Sequence, residues 1–190
     1  MKIRQQVTSN ASELVSLYRD FHAYPELGFQ EFRSQEKISD YLVNLGLKPR
    51  KIASTGVVAE LKSTKPGPTI LLRADMDAIP VTEETGLPYA SEIPGVMHAC
   101  GHDGHMAMLM VAAKILTGMS DEIAGTIKFL FQPNEEDAGA YKVVEEGIMN
   151  SPGVDSVFGL HLWSQCPIGQ IDIIDGPQMA ACLLYTSDAA

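Results

Sequence analysis

This chain reads as an α/β protein built on a mostly parallel or mixed β-sheet covered by helices on both faces. Short β-branched and aromatic runs alternate with amphipathic segments of helical length, the order that produces strand–helix–strand units. One segment, residues 104–117, is apolar almost all round, which marks a buried helix. With 190 residues and 45% hydrophobic content, the chain is sized for one core of ordinary dimensions.

The first helix is expected over residues 12–24. Leu14, Leu17, Tyr18 and Phe21 form its apolar stripe, Ser9 or Asn10 can cap it, and Pro25 stops it. A second helix from about residue 34 places Ile38, Tyr41, Leu42 and Leu45 on one face and ends at Gly46. Strands over 56–61 and 69–74 follow, joined by the turn-forming Lys65-Pro66-Gly67-Pro68. Residues 75–103 show no periodicity and carry Pro80, Pro88 and Pro94; so long a loop inside a compact domain is usually functional. Asp103 is placed to cap the 104–117 helix, which Gly118 ends. Residues 126–131 read as a strand, 141–149 as a short helix, and 154–160 and 168–174 as two more strands.

Composition excludes several classes. The longest uncharged apolar stretch, residues 106–113, is far too short for a bilayer, and no apolar segment follows the first positive charges. Neither a membrane span nor a secretory signal is therefore expected. A net charge of −10 with no basic stripe argues against a nucleic-acid partner. The cysteines are Cys100, Cys166 and Cys182; an odd count without a signal fits a reducing, cytoplasmic setting. Cys166 and Cys182 read as ordinary thiols.

Chemistry gathers in Met97-His98-Ala99-Cys100-Gly101-His102-Asp103-Gly104-His105, where three imidazoles, a thiol and a carboxylate fall within nine residues. Imidazole and thiolate suit zinc and, to a lesser degree, manganese, cobalt or nickel. Ligands of open α/β sheets bind beyond the carboxyl ends of the strands. Three expected strands end in metal-type donors: Asp75 and Asp77, then Glu135-Glu136, then His161. Each has a plainer reading alone. His22 suits a packed or surface position, while His98 and His105 are either partners behind a ligand or polar neighbours. Asp75 and Asp77 can be loop carboxylates, although Asp77 can equally orient a ligand histidine by accepting its second N–H. Glu135-Glu136 before Asp137 can be a solvated turn, and His161 beside Trp163 a core edge. Joint placement at strand ends lifts the set above these readings. No G-x-S-x-G, H-E-x-x-H, paired C-x-x-C, Walker-type loop or G-x-G-x-x-G is present.

Several stretches resemble, in family order, the amidohydrolase branch of the cocatalytic metallopeptidases. They are Phe21-His22-Ala23-Tyr24-Pro25-Glu26-Leu27-Gly28-Phe29, Leu72-Arg73-Ala74-Asp75-Met76-Asp77-Ala78-Ile79-Pro80, Glu83-Glu84-Thr85-Gly86, the 97–105 loop, Phe131-Gln132-Pro133-Asn134-Glu135-Glu136 and Gly159-Leu160-His161. The branch includes hippurate hydrolase, N-acyl-amino-acid amidohydrolases, N-acetyldiaminopimelate deacetylase and plant auxin–amino acid conjugate hydrolases. The likeness runs from about residue 8 to about 182.

The resemblance implies a zinc-peptidase-like three-layer catalytic domain over residues 1–182, truncated before the smaller α+β lid domain and before a last histidine ligand. It implies two divalent metal ions (Mn, Zn, Co or Ni) held by Cys100, His102, Glu136 and His161, with Glu135 as catalytic base. Asp75, Asp77 and His105 would stand behind these ligands or in a substrate loop. The implied reaction is hydrolysis of the amide bond of a small N-acyl amino acid. A metallocarboxypeptidase or dipeptidase, and an inactive metal-binding fragment, stay open as alternatives. Relatives commonly dimerise through the lid, so a homodimer or homo-oligomer of the parent also stays open. Met106 stands where relatives usually carry threonine. Asn134 and Asp137-Ala138 replace a smaller, more glycine-rich run, which bears on substrate preference. Residues 183–190 leave the family pattern and read as a non-native tail.

Overall fold

Residues 2–173 and 175–176 are described in a computed structural model of the chain. The elements run α1 (Lys2–Ser9), α2 (Ala11–Ala23), α3 (Phe32–Asn44), β1 (Arg50–Ile52), β2 (Gly56–Lys62), β3 (Thr69–Asp75), α4 (His102–Thr117), β4 (Thr126–Gln132), α5 (Ala140–Glu145) and β5 (Ser156–Gly159). The five strands form one mixed sheet in the order β1-β2-β4-β3-β5. β1 and β2 form an antiparallel hairpin and β2 runs antiparallel to β4, whereas β3 runs parallel to both β4 and β5. The parallel trio brings the carboxyl ends of β3, β4 and β5 to one edge, with Asp75 opposite Gln132 and Arg73 opposite Gly159.

Alternation along the strands sorts side chains into two cores. Ile127, Phe129 and Phe131 of β4, with Val57, Ala59 and Leu61 of β2, pack against Phe21, Ile38, Leu42, Met106 and Met110 from α2, α3 and α4. The opposite face buries Val58, Leu71 and Leu130 against Val143 and Ile148. Lys128 also points to that second face. It is buried, and its ammonium donates to the carbonyls of Ile148, Asn150 and Pro152, so its three donors are all used. Helix α4 is buried along most of its length, as its all-round apolarity predicts. Among the described residues no helix is long and apolar enough to cross a membrane.

The fold class stands, and the differences from expectation are local. α1 was not anticipated because its described side chains, residues 3–9, are exposed and form no apolar stripe. β1 was missed because its turn is made by Ala53 (φ 47) and Ser54 (φ 73), left-handed residues without the usual Asn-Gly or Gly signal. The carboxylate of Glu146 secures that turn by accepting the Ala53 N–H. β2 and β3 are not neighbours, since β4 lies between them. Asn10 does not cap α2; its amide donates to the Gln6 carbonyl instead. Asp103 does not cap α4 from outside, because the helix begins one residue earlier, at His102. The 141–149 helix is shorter than expected, as is the 154–160 strand. Residues 168–173 form no strand, and residue 174 lies outside the described set. Helical cover stops short of β5, whose four residues are exposed. Cys182 and the expected tail at 183–190 lie outside the described residues.

Candidate metal centre

The long 76–101 loop is pinned where it passes the sheet edge. Ala78 bridges to Leu27 and Ile79 to Met97. The loop delivers Cys100, and Gly101 then takes a left-handed conformation (φ 85) from which α4 starts at once with His102. His102 is fully buried and donates its Nδ1–H to the Asp77 carbonyl at 2.8 Å. That bond leaves Nε2 buried with no hydrogen-bond partner. Around it stand Asp75 Oδ2 at 3.7 Å, Glu135 Oε2 at 3.8 Å and Glu136 Oε1 at 3.9 Å. These gaps are too long for hydrogen bonds. Donors that each lie about 2.0–2.2 Å from one shared ion would be separated by roughly 3–4 Å, so the arrangement fits a divalent cation between them.

A second group adjoins the first through the same ring. Cys100 Sγ lies 3.4 Å from His161 Nε2, and His161 donates its Nδ1–H to the Leu162 carbonyl at 2.7 Å. Cys100, His102 and His161 can place one donor atom each within 4.8 Å of one another. The same holds for His102, Glu135 and Glu136, and for Asp75, His102 and His105. His102 is common to all three.

Buried carboxylates shape the Glu135-Glu136 turn. Asp77 accepts the backbone N–H of Glu135 at 2.9 Å and of Glu136 at 3.1 Å. Glu31, fully buried, accepts the Asn134 N–H at 2.9 Å and the Thr55 hydroxyl. Asn134 itself is left-handed (φ 51), a conformation asparagine tolerates. Its side chain occupies the space beside Gly28, where a Cβ would sit 1.8 Å from Asn134 Oδ1. Asp75 spans Arg73 (2.7 Å) and His105 (2.6 Å), and Arg73 donates on to Gln132 Oε1 at 2.9 Å.

The electrostatics call for positive charge. Burial pushes Asp75 up, but His105, His102 and Arg73 outweigh it and hold its pKa at about 2. Asp77 is likewise drawn down, against burial, by His102 and the two turn N–H groups. Burial and the carboxylates of Glu136, Glu135 and Asp75 push the Cys100 thiol up to about 12. A thiol so placed keeps its proton until a cation offsets those charges, so metal binding would release it. Burial and the Asp75 charge raise the Glu135 pKa above its ordinary value, against the pull of His102 and Arg73.

Cys100, His102, Glu135, Glu136 and His161 thus meet in one pocket, with Asp75, Asp77 and His105 directly behind them. Sequence reasoning missed Glu31, Gly28 and the Arg73 ion pair. Glu31 and Gly28 act through Asn134, remote in sequence, while Arg73 pairs with Asp75 only two residues on; spacing signals neither. His22 is packed, as its plainer reading had it, but it also bridges Asp103 (2.6 Å) and Glu83 (3.2 Å), tying α2 and the loop to the start of α4. Asp103 spends its other oxygen on the Gly104 N–H. His98 is buried with neither ring nitrogen bonded, and burial pushes its pKa down to about 4, so the ring is neutral.

Residues 71–176, the span that supplies nearly every donor of this pocket, match peptidase family M20/M25/M40. The chain belongs to that family. It spans about half the length of the curated relatives it matches. It is 44% identical over 183 residues to an N-acyl-L-amino acid amidohydrolase of Geobacillus stearothermophilus, covering 95% of this chain and 49% of the relative. It is 42% identical over 184 residues to thermostable carboxypeptidase 1 of Saccharolobus solfataricus, covering 94% and 46%. Among solved structures it resembles the YXEP protein of Bacillus subtilis, described as a dinuclear metal binding peptidase from the M20 family. That match has a TM-score of 0.84 and 42% identity, and covers 90% of this chain and 48% of the other.

Proposed function

We propose that the protein is a metal-dependent amidohydrolase that cleaves the amide bond of small N-acyl amino acids. The observation that carries this reading is the buried, unpartnered His102 Nε2 facing three carboxylates at 3.7 to 3.9 Å. Cys100, His102, Glu136 and His161 would hold two divalent ions, with zinc and manganese the foremost choices for this nitrogen, sulfur and oxygen set. Bound ions would supply Lewis acidity, polarising the scissile carbonyl and lowering the pKa of water from 15.7 to about 7.

The protein's own part is positioning and proton transfer. Glu135 accepts the proton of the attacking water on its carboxylate and returns it to the nitrogen of the leaving amine, so that a carboxylic acid and an amino acid depart. Its neighbour Glu136 stays committed to the cation. Asp77, which accepts the backbone N–H of both glutamates, supports this reading by fixing the turn that carries them. Such general acid–base catalysis is worth about 10²–10⁴-fold.

The reading predicts that Glu135→Gln loses at least that factor in rate while keeping its metal, whereas Glu136→Gln and Cys100→Ser lose metal. Metal analysis beside a hydrolysis assay on acetyl-, benzoyl- and indoleacetyl-amino acids tests it. Equal metal loss in all three variants would overturn the division of roles. A carboxypeptidase or dipeptidase reading is favoured by the likeness to the Saccharolobus enzyme, and faster turnover of dipeptides in the same panel would establish it. We assign the protein to the cytoplasm. Cys100 and Cys166 are free thiols, which suits a reducing compartment.

A further inference from the structure

We propose that His105, held by Asp75, is the positioning residue that seats the Leu162 peptide and thereby aims His161 at Cys100 and His102. The inference rests on the reading of His161 as a metal ligand. It begins from the direction of the hydrogen bonds. Asp75 can only accept, and its Oδ1 lies 2.6 Å from His105 Nδ1, so that nitrogen carries the proton. His105 Nε2 then presents a lone pair, and the Leu162 N–H donates to it at 2.8 Å. The carbonyl of the same residue takes the Nδ1–H of His161 at 2.7 Å. His161 Nε2 is left with its lone pair facing Cys100 Sγ, 3.4 Å away. One tautomer of each ring satisfies the whole chain from Arg73 through Asp75, His105 and Leu162 to His161.

The geometry also shows why such a device is needed. β5 is exposed along its length, and its pairing with β3 ends at Gly159, two residues before His161. Leu160 and Trp163 on either side are exposed as well. Leu162 is the point of attachment. Besides its N–H bond, its side chain lies on α4 where Gly104 has no Cβ; one placed there would sit 2.6 Å from Leu162 Cδ1. His105 and Gly104, three residues and two residues after His102, thus form a seat that couples one ligand histidine to the helix carrying the other.

The experiment titrates Co²⁺ alone into the intact protein and its variants. Partners behind metal ligands commonly account for about 10–100-fold in affinity. His105→Ala and His105→Asn should lose about that much, because neither offers an acceptor where Nε2 stands. His105→Gln, whose amide reaches that place, should retain most of the affinity. Wild-type affinity in His105→Ala, alongside loss in His161→Ala, overturns the seat and spares the site. Unchanged binding in His161→Ala overturns the ligand reading and the seat with it. Should the variants fail to fold, long-range ¹H–¹⁵N spectra of the wild-type histidines decide the matter. His105 must be the Nδ1–H tautomer, and an Nε2–H tautomer refutes the proposal.

Discussion

Replacing Asp77 with alanine removes the group on which the geometry of the Glu135-Glu136 turn depends. The carboxylate is 2% exposed and accepts two backbone N–H groups, at 2.9 and 3.1 Å, with His102 Nδ1 a further 3.4 Å away. A hydrogen bond to a charged group is worth about 1.5–3 kcal/mol, so the pair amounts to about 3–6 kcal/mol. The turn is partly open, and water can recover some of that, leaving an expected loss of about 2–4 kcal/mol. Against a total stability of about 5–15 kcal/mol for a typical domain, this is a large share. Asp77→Asn keeps one acceptor oxygen and should lose about half as much. Urea unfolding of the metal-free protein measures the stability change. Co²⁺ titration should show affinity falling about 10–100-fold in Asp77→Ala, since the turn carrying Glu136 loses its support while the Asp77 carbonyl still holds His102. An unfolding midpoint and an affinity both equal to wild type would refute the argument that Asp77 sets this turn.

Asp75, held at about pKa 2 against an ordinary 3.8, should contribute stability that is full above pH 3.8 and is lost as pH falls toward 2. Asp75→Asn should flatten that acid limb of the unfolding curve, and an unchanged limb would count against the His105 and Arg73 pairing. His22 has the opposite sign: hydrogen bonding to Asp103 raises its pKa over the effect of burial, with Glu83 adding to the rise. Its contribution is full below the ordinary 6.5 and fades as pH rises through the folded value, so wild-type stability should fall on the alkaline side while His22→Gln shows no such slope. Gly28→Ala should destabilise by about 1–3 kcal/mol, because the new Cβ collides with Asn134 Oδ1 and the left-handed residue must move. The same variant should slow hydrolysis through the displaced Glu135, which a rate measurement at saturating substrate detects.

Local pattern alone was enough for several features of this protein. The periodicities of α2, α3, α4, β2, β3 and β4 are properties of short windows, as is the clustering of Cys100, His102 and His105 before an apolar helix. Donors at the ends of β3, β4 and β5 were legible too, because strand ends and ligand types are both written in the chain. Tertiary structure alone decided which donors face one another. The insertion of β4 between β2 and β3 sets the edge at which Asp75, Glu135 and His161 converge, and strand order is a matter of nonlocal pairing. It alone separated the histidines: His102 Nε2 is left without a partner, while His105 Nε2 is occupied by the Leu162 N–H. Glu31 and Gly28 could not be found earlier, for their effect passes through Asn134, more than a hundred residues away in the sequence. A hydrogen bond depends on distance and direction in space, and neither is encoded by spacing along the chain.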